Sequence, residues 1–149
     1  MSSAGNAGSA SIQPFTITTS PDSLVDLRDR PSRVRWPDQL EGSEWEAGTN
    51  LSYMKRLHAY WLNEFDWAEQ QRRLNGYNHF RYSHGENLIH FIRARGVGPN
   101  PMPLIITHGW PGSFAEMLRI IPLLSDQGAN GGDPADAFDV VVPSIPGYG

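Results

Sequence analysis

The sequence lacks cysteine, long apolar runs and an excess of basic residues, and each absence excludes a class of protein. None of the 149 residues is cysteine, which excludes disulfides, thiolate metal sites and cysteine nucleophiles and favours a cytoplasmic protein. No apolar run approaches the roughly 18 residues that a membrane span needs, so no span is predicted. The 12 basic residues against 16 acidic ones give a formal net charge of −4, which argues against nucleic acid as a partner.

The whole sequence holds 15 glycines and 12 prolines, which predicts a loop-rich chain. Residues 1–11 carry only one large apolar side chain, so we predict a disordered tail there. The alternation in residues 12–18 predicts a short strand, and its proline restricts this strand to a sheet edge. Ser20 and Pro21 have the pattern of a helix start, and Pro31 is predicted to end that helix.

Two further helices are predicted, so that residues 12–76 form a helical, loop-rich region. After an irregular segment with two tryptophans, Thr49 or Asn50 can cap a helix that extends to about residue 63. Its apolar side chains recur every three or four positions, which is the period of an α-helix. Asp66 and the glutamate three positions later have the spacing of a capping box, which predicts another helix.

From residue 77 to residue 149 the pattern changes to that of an α/β core. Four segments have the composition of strands: residues 77–82, 87–95, 104–107 and 138–142. The first two predict a hairpin, and the last two are apolar runs typical of strands buried on both faces of a parallel sheet. Ser113 with Glu116 forms a capping box that predicts a helix through Ile121, and residues 125–137 predict a flexible loop.

This core is incomplete, because two parallel strands leave an open apolar edge that compact domains avoid. The pattern therefore predicts either the N-terminal part of a larger α/β enzyme or one partner of a two-chain assembly.

The segment THGWPGS, residues 107–113, lies between a predicted strand and a predicted capped helix. Gly109 allows the backbone to turn sharply, and Pro111 fixes the next backbone dihedral. Backbone N–H groups at such a place, beside a helix N-terminus, suit a developing negative oxygen. An ordinary strand-to-helix turn explains the pattern equally well at this stage.

The motifs of the chain resemble those of one enzyme family. HGWPGSFAE followed by PSIPGYG resembles the epoxide hydrolase branch of the α/β-hydrolase superfamily. The upstream motifs RWPD, YWLNEFDWAEQQRRLN and LIHFIRARG resemble the N-terminal region of microsomal-type and juvenile-hormone-type epoxide hydrolases. The resemblance covers about residues 15–149. It implies the N-terminal part of an α/β-hydrolase fold, preceded by a helical, loop-rich wrapping segment.

The resemblance also implies a function, the hydrolysis of a small-molecule epoxide to a vicinal diol through an aspartyl-ester intermediate, as in detoxification. It implies that the backbone N–H of Trp110 belongs to the oxyanion hole, that His108, Gly109 and Pro111 shape the loop, and that Pro111 follows a cis bond. The family's nucleophile, acid, base and lid tyrosines have no counterpart in this sequence. We therefore expect a chain that is inactive alone and needs a C-terminal catalytic half, in the same or a separate chain.

Other residues suggest sites that simpler explanations account for. Ser113 is not in a GxSxG elbow, because Pro111 and Ala115 stand where glycines are required, so we expect a capping residue. Two further groups lack metal-ligand spacing: His79, His84 and His90, and Asp133, Asp136 and Asp139. We predict neither a metal nor a cofactor.

Two other functions remain open on the sequence. The chain is either a non-catalytic or truncated α/β-hydrolase fragment that acts as a binding or structural module, or part of a hydrolase with other chemistry, such as ester hydrolysis. An aspartate or a serine at the nucleophile elbow would decide between epoxide and ester chemistry.

Overall fold

The computed structural model describes residues 10–148, which divide into two compact units. Thr18–Arg72 form a helical unit, and the described residues before and after them form a sheet unit. Most of the predicted tail lies outside the described residues, but Ser11 is already the first residue of a strand. Within the described part of the chain, no helix has the length and apolarity needed to cross a bilayer.

Three helices follow one another between the first two strands: α1 (Pro21–Ser32), α2 (Leu51–Asn63) and α3 (Trp67–Leu74). Their predicted caps are confirmed. The side chain of Ser20 accepts the amide of Ser23 at 3.1 Å, and that of Asn50 accepts the amide of Tyr53 at 2.9 Å. Asp66 accepts the amide three residues later in the same way, at 3.1 Å. Each cap satisfies a backbone donor that the first helical turn leaves free.

The prediction that Pro31 ends the first helix is wrong, because α1 includes Pro31 and continues to Ser32. Proline removes only its own amide from the helical hydrogen bonds. The carbonyls of Arg30 and Pro31 still accept the amides of Arg33 and Val34, at 3.2 and 3.0 Å, so the last turn closes beyond the proline.

The segment between α1 and α2 is irregular, and both of its tryptophans pack against α2. Trp36 lies edge-on to the ring of His58, with 5.2 Å between ring centroids. Trp45 lies 5.2 Å from the ring of Tyr53. The irregular segment is therefore held against α2 by its two indole rings.

The sheet unit contains five strands in the order β1-β2-β3-β5-β4. The strands are β1 (Ser11–Phe15), β2 (His79–His84), β3 (Asn87–Ala94), β4 (Met102–Ile105) and β5 (Phe138–Pro143). β4 and β5 are parallel and the other neighbours are antiparallel. The predicted edge strand and the predicted hairpin are both confirmed. The core is formed by Ile92, Ile121, Val140 and Val142.

The prediction of two strands buried on both faces is wrong for β4, and β5 is fully buried on one face only. Val140 and Val142 of β5 are fully buried, whereas Ile105 of β4 is 68% exposed. The difference follows from the sheet order, because β5 inserts between β3 and β4 and leaves β4 at the outer edge of the described sheet.

The continuous helix predicted after Ser113 is also wrong. A short 3-10 helix, Phe114–Met117, is followed by a turn and then by α4 (Ile121–Ser125). Pro122 has no amide to donate to the carbonyl of Leu118, and this carbonyl instead accepts the hydroxyl of Tyr77 at 3.0 Å.

The segment predicted as a flexible loop contains two short 3-10 helices, Gly128–Asn130 and Pro134–Asp136. An aspartate side chain accepts a backbone amide of each of them. Asp126 accepts the amide of Ala129 at 3.1 Å, and Asp133 accepts the amide of Ala135 at 2.8 Å. Turn formation therefore accounts for these acidic residues.

Candidate functional site

The HGWPGS loop (residues 108–113) follows the parallel edge strand β4. The ladder to β5 continues one residue beyond β4, since the Ile106 amide donates to the Val141 carbonyl at 3.0 Å. The chain then leaves the sheet. The Gly112 amide donates to the Gly109 carbonyl at 2.7 Å and closes a turn. The Trp110–Pro111 peptide bond inside this turn is cis, as the resemblance implied.

Trp110 is at the tip of this turn, and its side chain is 84% exposed. Its backbone amide donates to no acceptor among residues 10–148, because the turn is closed by the amide of Gly112 instead. The turn thus leaves at its tip a backbone donor that ordinary helix or sheet pairing would have occupied.

His108, the first residue of the loop, is a buried anchor with only 3% of its surface exposed. Its Nε2 accepts the amide of Ile145 at 3.1 Å, and its ring lies 5.1 Å from that of Tyr148. In a neutral ring the proton is then on Nδ1. Nδ1 is buried and has no partner within the described part of the chain. His108 therefore ties the loop to the turn that follows β5.

The other end of the loop is held by a cap and an aromatic contact. The side chain of Ser113 accepts the amide of Ala115 at 3.3 Å. This is the capping role expected for Ser113. The next residue, Phe114, points its ring at His79 and His90, with centroid distances of 5.8 and 4.9 Å.

His79 and His90 form a buried pair that the sequence reasoning missed. His79 Nδ1 and His90 Nε2 are 2.8 Å apart, and His90 Nδ1 lies 2.8 Å from the hydroxyl of Ser144. Burial lowers the pKa of His90 from 6.5 to about 4, and electrostatic repulsion from the neighbouring His79 and Arg81 adds to this effect. The ring of His90 is therefore neutral near neutral pH.

The alternation of side chains along the two strands of the predicted hairpin contained a signal for this pair. His79 is opposite Ile92 and His90 is opposite Arg81. The two histidines are therefore diagonal neighbours on one face of the hairpin, within reach of each other's rings. His84 does not join them, because its ring stacks on Tyr82 at 6.2 Å. Among residues 10–148, no group of three or more histidines and acidic residues could hold a metal ion.

A separate apolar groove lies within the helical unit. It has a volume of about 300 Å³, and its lining includes Leu24, Leu27, Pro31, Trp61, Phe65 and Trp67. Only Arg28 and Asp66 bring charge to its wall. The groove offers packing surface without a set of converging catalytic groups.

Comparison with known proteins shows the family of the chain. The family described as "Epoxide hydrolase N terminus" matches residues 12–117. Epoxide hydrolase 1 of Oryctolagus cuniculus is 43% identical over 143 residues, which cover 93% of this chain and 31% of that protein. Juvenile hormone epoxide hydrolase 2 of Ctenocephalides felis is 35% identical over 142 residues, with 93% and 30% coverage.

The fold agrees with the sequence comparison. The crystal structure of juvenile hormone epoxide hydrolase from Bombyx mori superposes with a TM-score of 0.80 at 33% identity, covering 95% of this chain and 34% of that one. The chain thus spans about a third of the length of the relatives it matches. The resemblance stated from the motifs is confirmed: the chain belongs to the epoxide hydrolase N-terminus family and has the N-terminal part of the α/β-hydrolase fold.

Proposed function

We propose that the chain is the N-terminal segment of an enzyme that hydrolyses small epoxides to vicinal diols, and that its HGWPGS loop supplies an oxyanion-hole donor. The observation that carries the proposal is the backbone N–H of Trp110, which is unbonded within the described residues and lies in a turn after a parallel strand. In an α/β fold, ligands bind at the carboxyl ends of parallel strands. A free amide there can meet negative charge on a reacting group.

The proposed reaction has two steps, and the loop acts in the second. First, an aspartate of a C-terminal catalytic part attacks an epoxide carbon, the C–O bond breaks, and the epoxide oxygen takes a proton from a tyrosine of that part. This leaves a hydroxyalkyl ester of the aspartate. Water, activated by a histidine, then attacks the ester carbonyl and forms a tetrahedral oxyanion. This collapses to the diol and the free aspartate.

The N–H of Trp110 would donate a hydrogen bond to that oxyanion. Removing one such donor costs about 2.7–4 kcal/mol of transition-state stabilisation in enzymes that use them. In this proposal Gly109 and Pro111 give the turn its shape, and His108 anchors its first residue through the amide of Ile145. This role needs only the backbone N–H of Trp110, which is compatible with the exposure of its side chain.

A chimera tests this proposal. The chain replaces the matching segment of Oryctolagus cuniculus epoxide hydrolase 1, and hydrolysis of styrene oxide is measured for the chimera and for the isolated chain. We expect diol from the chimera and none from the isolated chain. Turnover by the isolated chain would show that it holds its own nucleophile, and a folded but inactive chimera would contradict the proposed role.

The partner that we propose for the open edge of β4 is the C-terminal catalytic half, in the same or a separate chain. Support comes from the exposure of Met102 and Ile105, at 62% and 68%, on a strand with one described neighbour. An unpaired strand edge of this kind is a template for a further strand. Adding the C-terminal part in trans should slow amide exchange in β4. Exchange that stays unchanged despite binding would place the contact elsewhere.

The location that we propose is the cytoplasm. A chain without cysteine gains no disulfide in an oxidising compartment, which supports this choice. Recovery of a tagged chain in a secreted or membrane fraction would contradict it.

A further inference from the structure

A line of hydrogen bonds crosses the interior of the sheet unit, from the end of α3 to the end of β5. The carbonyl of Leu74 lies 2.7 Å from His79 Nε2, and His79 Nδ1 lies 2.8 Å from His90 Nε2. His90 Nδ1 lies 2.8 Å from the hydroxyl of Ser144. We call these four residues the histidine network. Its three side chains are at most 6% exposed.

The chemistry of the first acceptor fixes every proton in this network. A carbonyl only accepts, so His79 must donate to Leu74 from Nε2. In a neutral ring its Nδ1 is then an acceptor, which requires the proton of His90 to be on Nε2. His90 Nδ1 is then an acceptor in turn and takes the hydroxyl proton of Ser144. Each ring therefore has one defined tautomer and orientation.

The network is connected to the first residue of the HGWPGS loop. Ser144 is bonded twice to His90, because its backbone amide also donates to the His90 carbonyl at 2.8 Å. The next amide along the chain, that of Ile145, donates to His108 Nε2 at 3.1 Å. The orientation of Ser144 thus determines where the Ile145 amide points, and this amide holds the ring of His108.

The network is also in contact with the other end of the loop. The ring of Phe114, directly after the loop, is edge-on to both imidazoles, at 4.9 Å from His90 and 5.8 Å from His79. An edge-to-face contact of this kind depends on the orientation of both rings. Both ends of the loop therefore rest on the same pair of histidines.

We propose that His79, His90 and Ser144 are positioning residues, which hold the HGWPGS loop so that the Trp110 amide keeps its direction. The catalytic meaning of this inference rests on the proposed function, but the hydrogen bonds themselves do not. The three residues touch no reacting atom in this proposal. They act through His108 and Phe114 on the two ends of the loop.

The first test measures the tautomers in the intact chain. Two-bond 15N–1H spectra of a 15N-labelled sample near neutral pH distinguish the two protonation sites of each imidazole. We expect Nε2–H for His79 and His90 and Nδ1–H for His108. Either network histidine carrying its proton on Nδ1 would reverse the line of donors and overturn the inference.

The second test removes one donor. In Ser144→Ala, we expect the amide of Gly112, which closes the turn of the loop, to exchange about tenfold faster relative to core amides, since one tenfold step corresponds to the loss of a typical hydrogen bond. Ser144→Thr keeps the hydroxyl and should restore slow exchange. Ser83→Ala, a serine of the same sheet outside the network, is the matched control and should leave Gly112 unchanged.

A folded Ser144→Ala variant with unchanged Gly112 exchange would overturn the inference. If that variant does not fold, Ser144→Cys preserves the side-chain volume with a weaker donor. Gly112 exchange in this variant is then compared with that in the parent chain, and unchanged exchange would again overturn the inference.

The chimera separates this inference from the proposed function. If the proposed function and the positioning of the loop are both correct, Ser144→Ala in the chimera should lower kcat about tenfold. KM should stay unchanged, because a tilted oxyanion donor affects only the transition state. An inactive chimera with the expected tautomers would end the proposed function and leave the positioning of the loop intact. An active chimera in which Ser144→Ala changes neither kcat nor Gly112 exchange would end the inference alone.

Discussion

Acid should destabilise the sheet unit through one buried side chain, the imidazole of His90. This ring is 6% exposed, and it contacts His79, Ser144 and Phe114. Arg81 is the charged residue opposite it on β2, and its guanidinium lies over the ring of Phe15 at 3.8 Å. A proton added to His90 would be buried among these groups with no carboxylate among those contacts.

The direction of this pH dependence follows from the pKa values of His90 in the folded and in the unfolded chain. Burial lowers the pKa of His90 in the folded chain to about 4, against 6.5 for the free side chain. Above pH 6.5 both states are neutral and the stabilisation is complete. As the pH falls below 6.5 the unfolded chain binds the proton first, so stability is lost until about pH 4, where the folded chain binds it too. Between these two pH values the free energy of unfolding falls by about 3 kcal/mol.

Urea unfolding at several pH values measures this effect. The resonance of the Val142 amide reports on the sheet unit alone, since this residue is in its core. We expect the wild type to lose about 3 kcal/mol more than His90→Gln between about pH 7 and about pH 4, because glutamine does not titrate. His84→Gln, at the exposed end of β2, serves as the control. Equal losses in the wild type and in His90→Gln would refute the reasoning.

Three more predictions concern the two units and the sheet edge. Val142→Ala should lower the free energy of unfolding of the sheet unit by roughly 2 kcal/mol, because it opens a cavity at a fully buried site, and chemical denaturation checks this. Asn50→Ala should destabilise α2 by about 1 kcal/mol through loss of its cap, and a thermal melt followed at 222 nm should show it. The open edge of β4 should make the isolated chain associate with itself, and Ile105→Lys should reduce this association in sedimentation velocity without loss of stability, since it places a charge on an exposed sheet edge. Val97→Lys, exposed but outside the strands, should leave association unchanged.

The elements that the sequence predicted correctly depend on local chemistry. Ser20, Asn50 and Asp66 each bond an amide within three residues, so a short window contains the whole signal. The proline of β1 restricts its strand to an edge for the same local reason. The turn of the HGWPGS loop is local as well, since its closing bond joins Gly109 and Gly112.

Several features that the sequence did not predict depend on the sheet order or on distant partners. The exposure of Ile105 follows from β5 inserting between β3 and β4, which the apolar composition of β4 does not encode. The split helix combines a local cause, Pro122, with a distant partner, Tyr77, which lies 41 residues before the carbonyl that it binds. The link between His90 and Ser144 joins positions 54 residues apart. A pattern read along the chain contains no information on such pairs until the topology is known.

The role assigned to the Trp110 amide is tested most directly by removing that N–H while keeping the side chain. In the chimera, incorporating the α-hydroxy analogue of tryptophan at position 110 replaces the amide by an ester and keeps the side chain. We expect a fall in kcat of about 10²–10³ for the ester, while Trp110→Phe, which keeps the N–H, should stay close to the parent chimera. An ester variant that turns over as fast as its parent would show that the Trp110 N–H is not an oxyanion-hole donor.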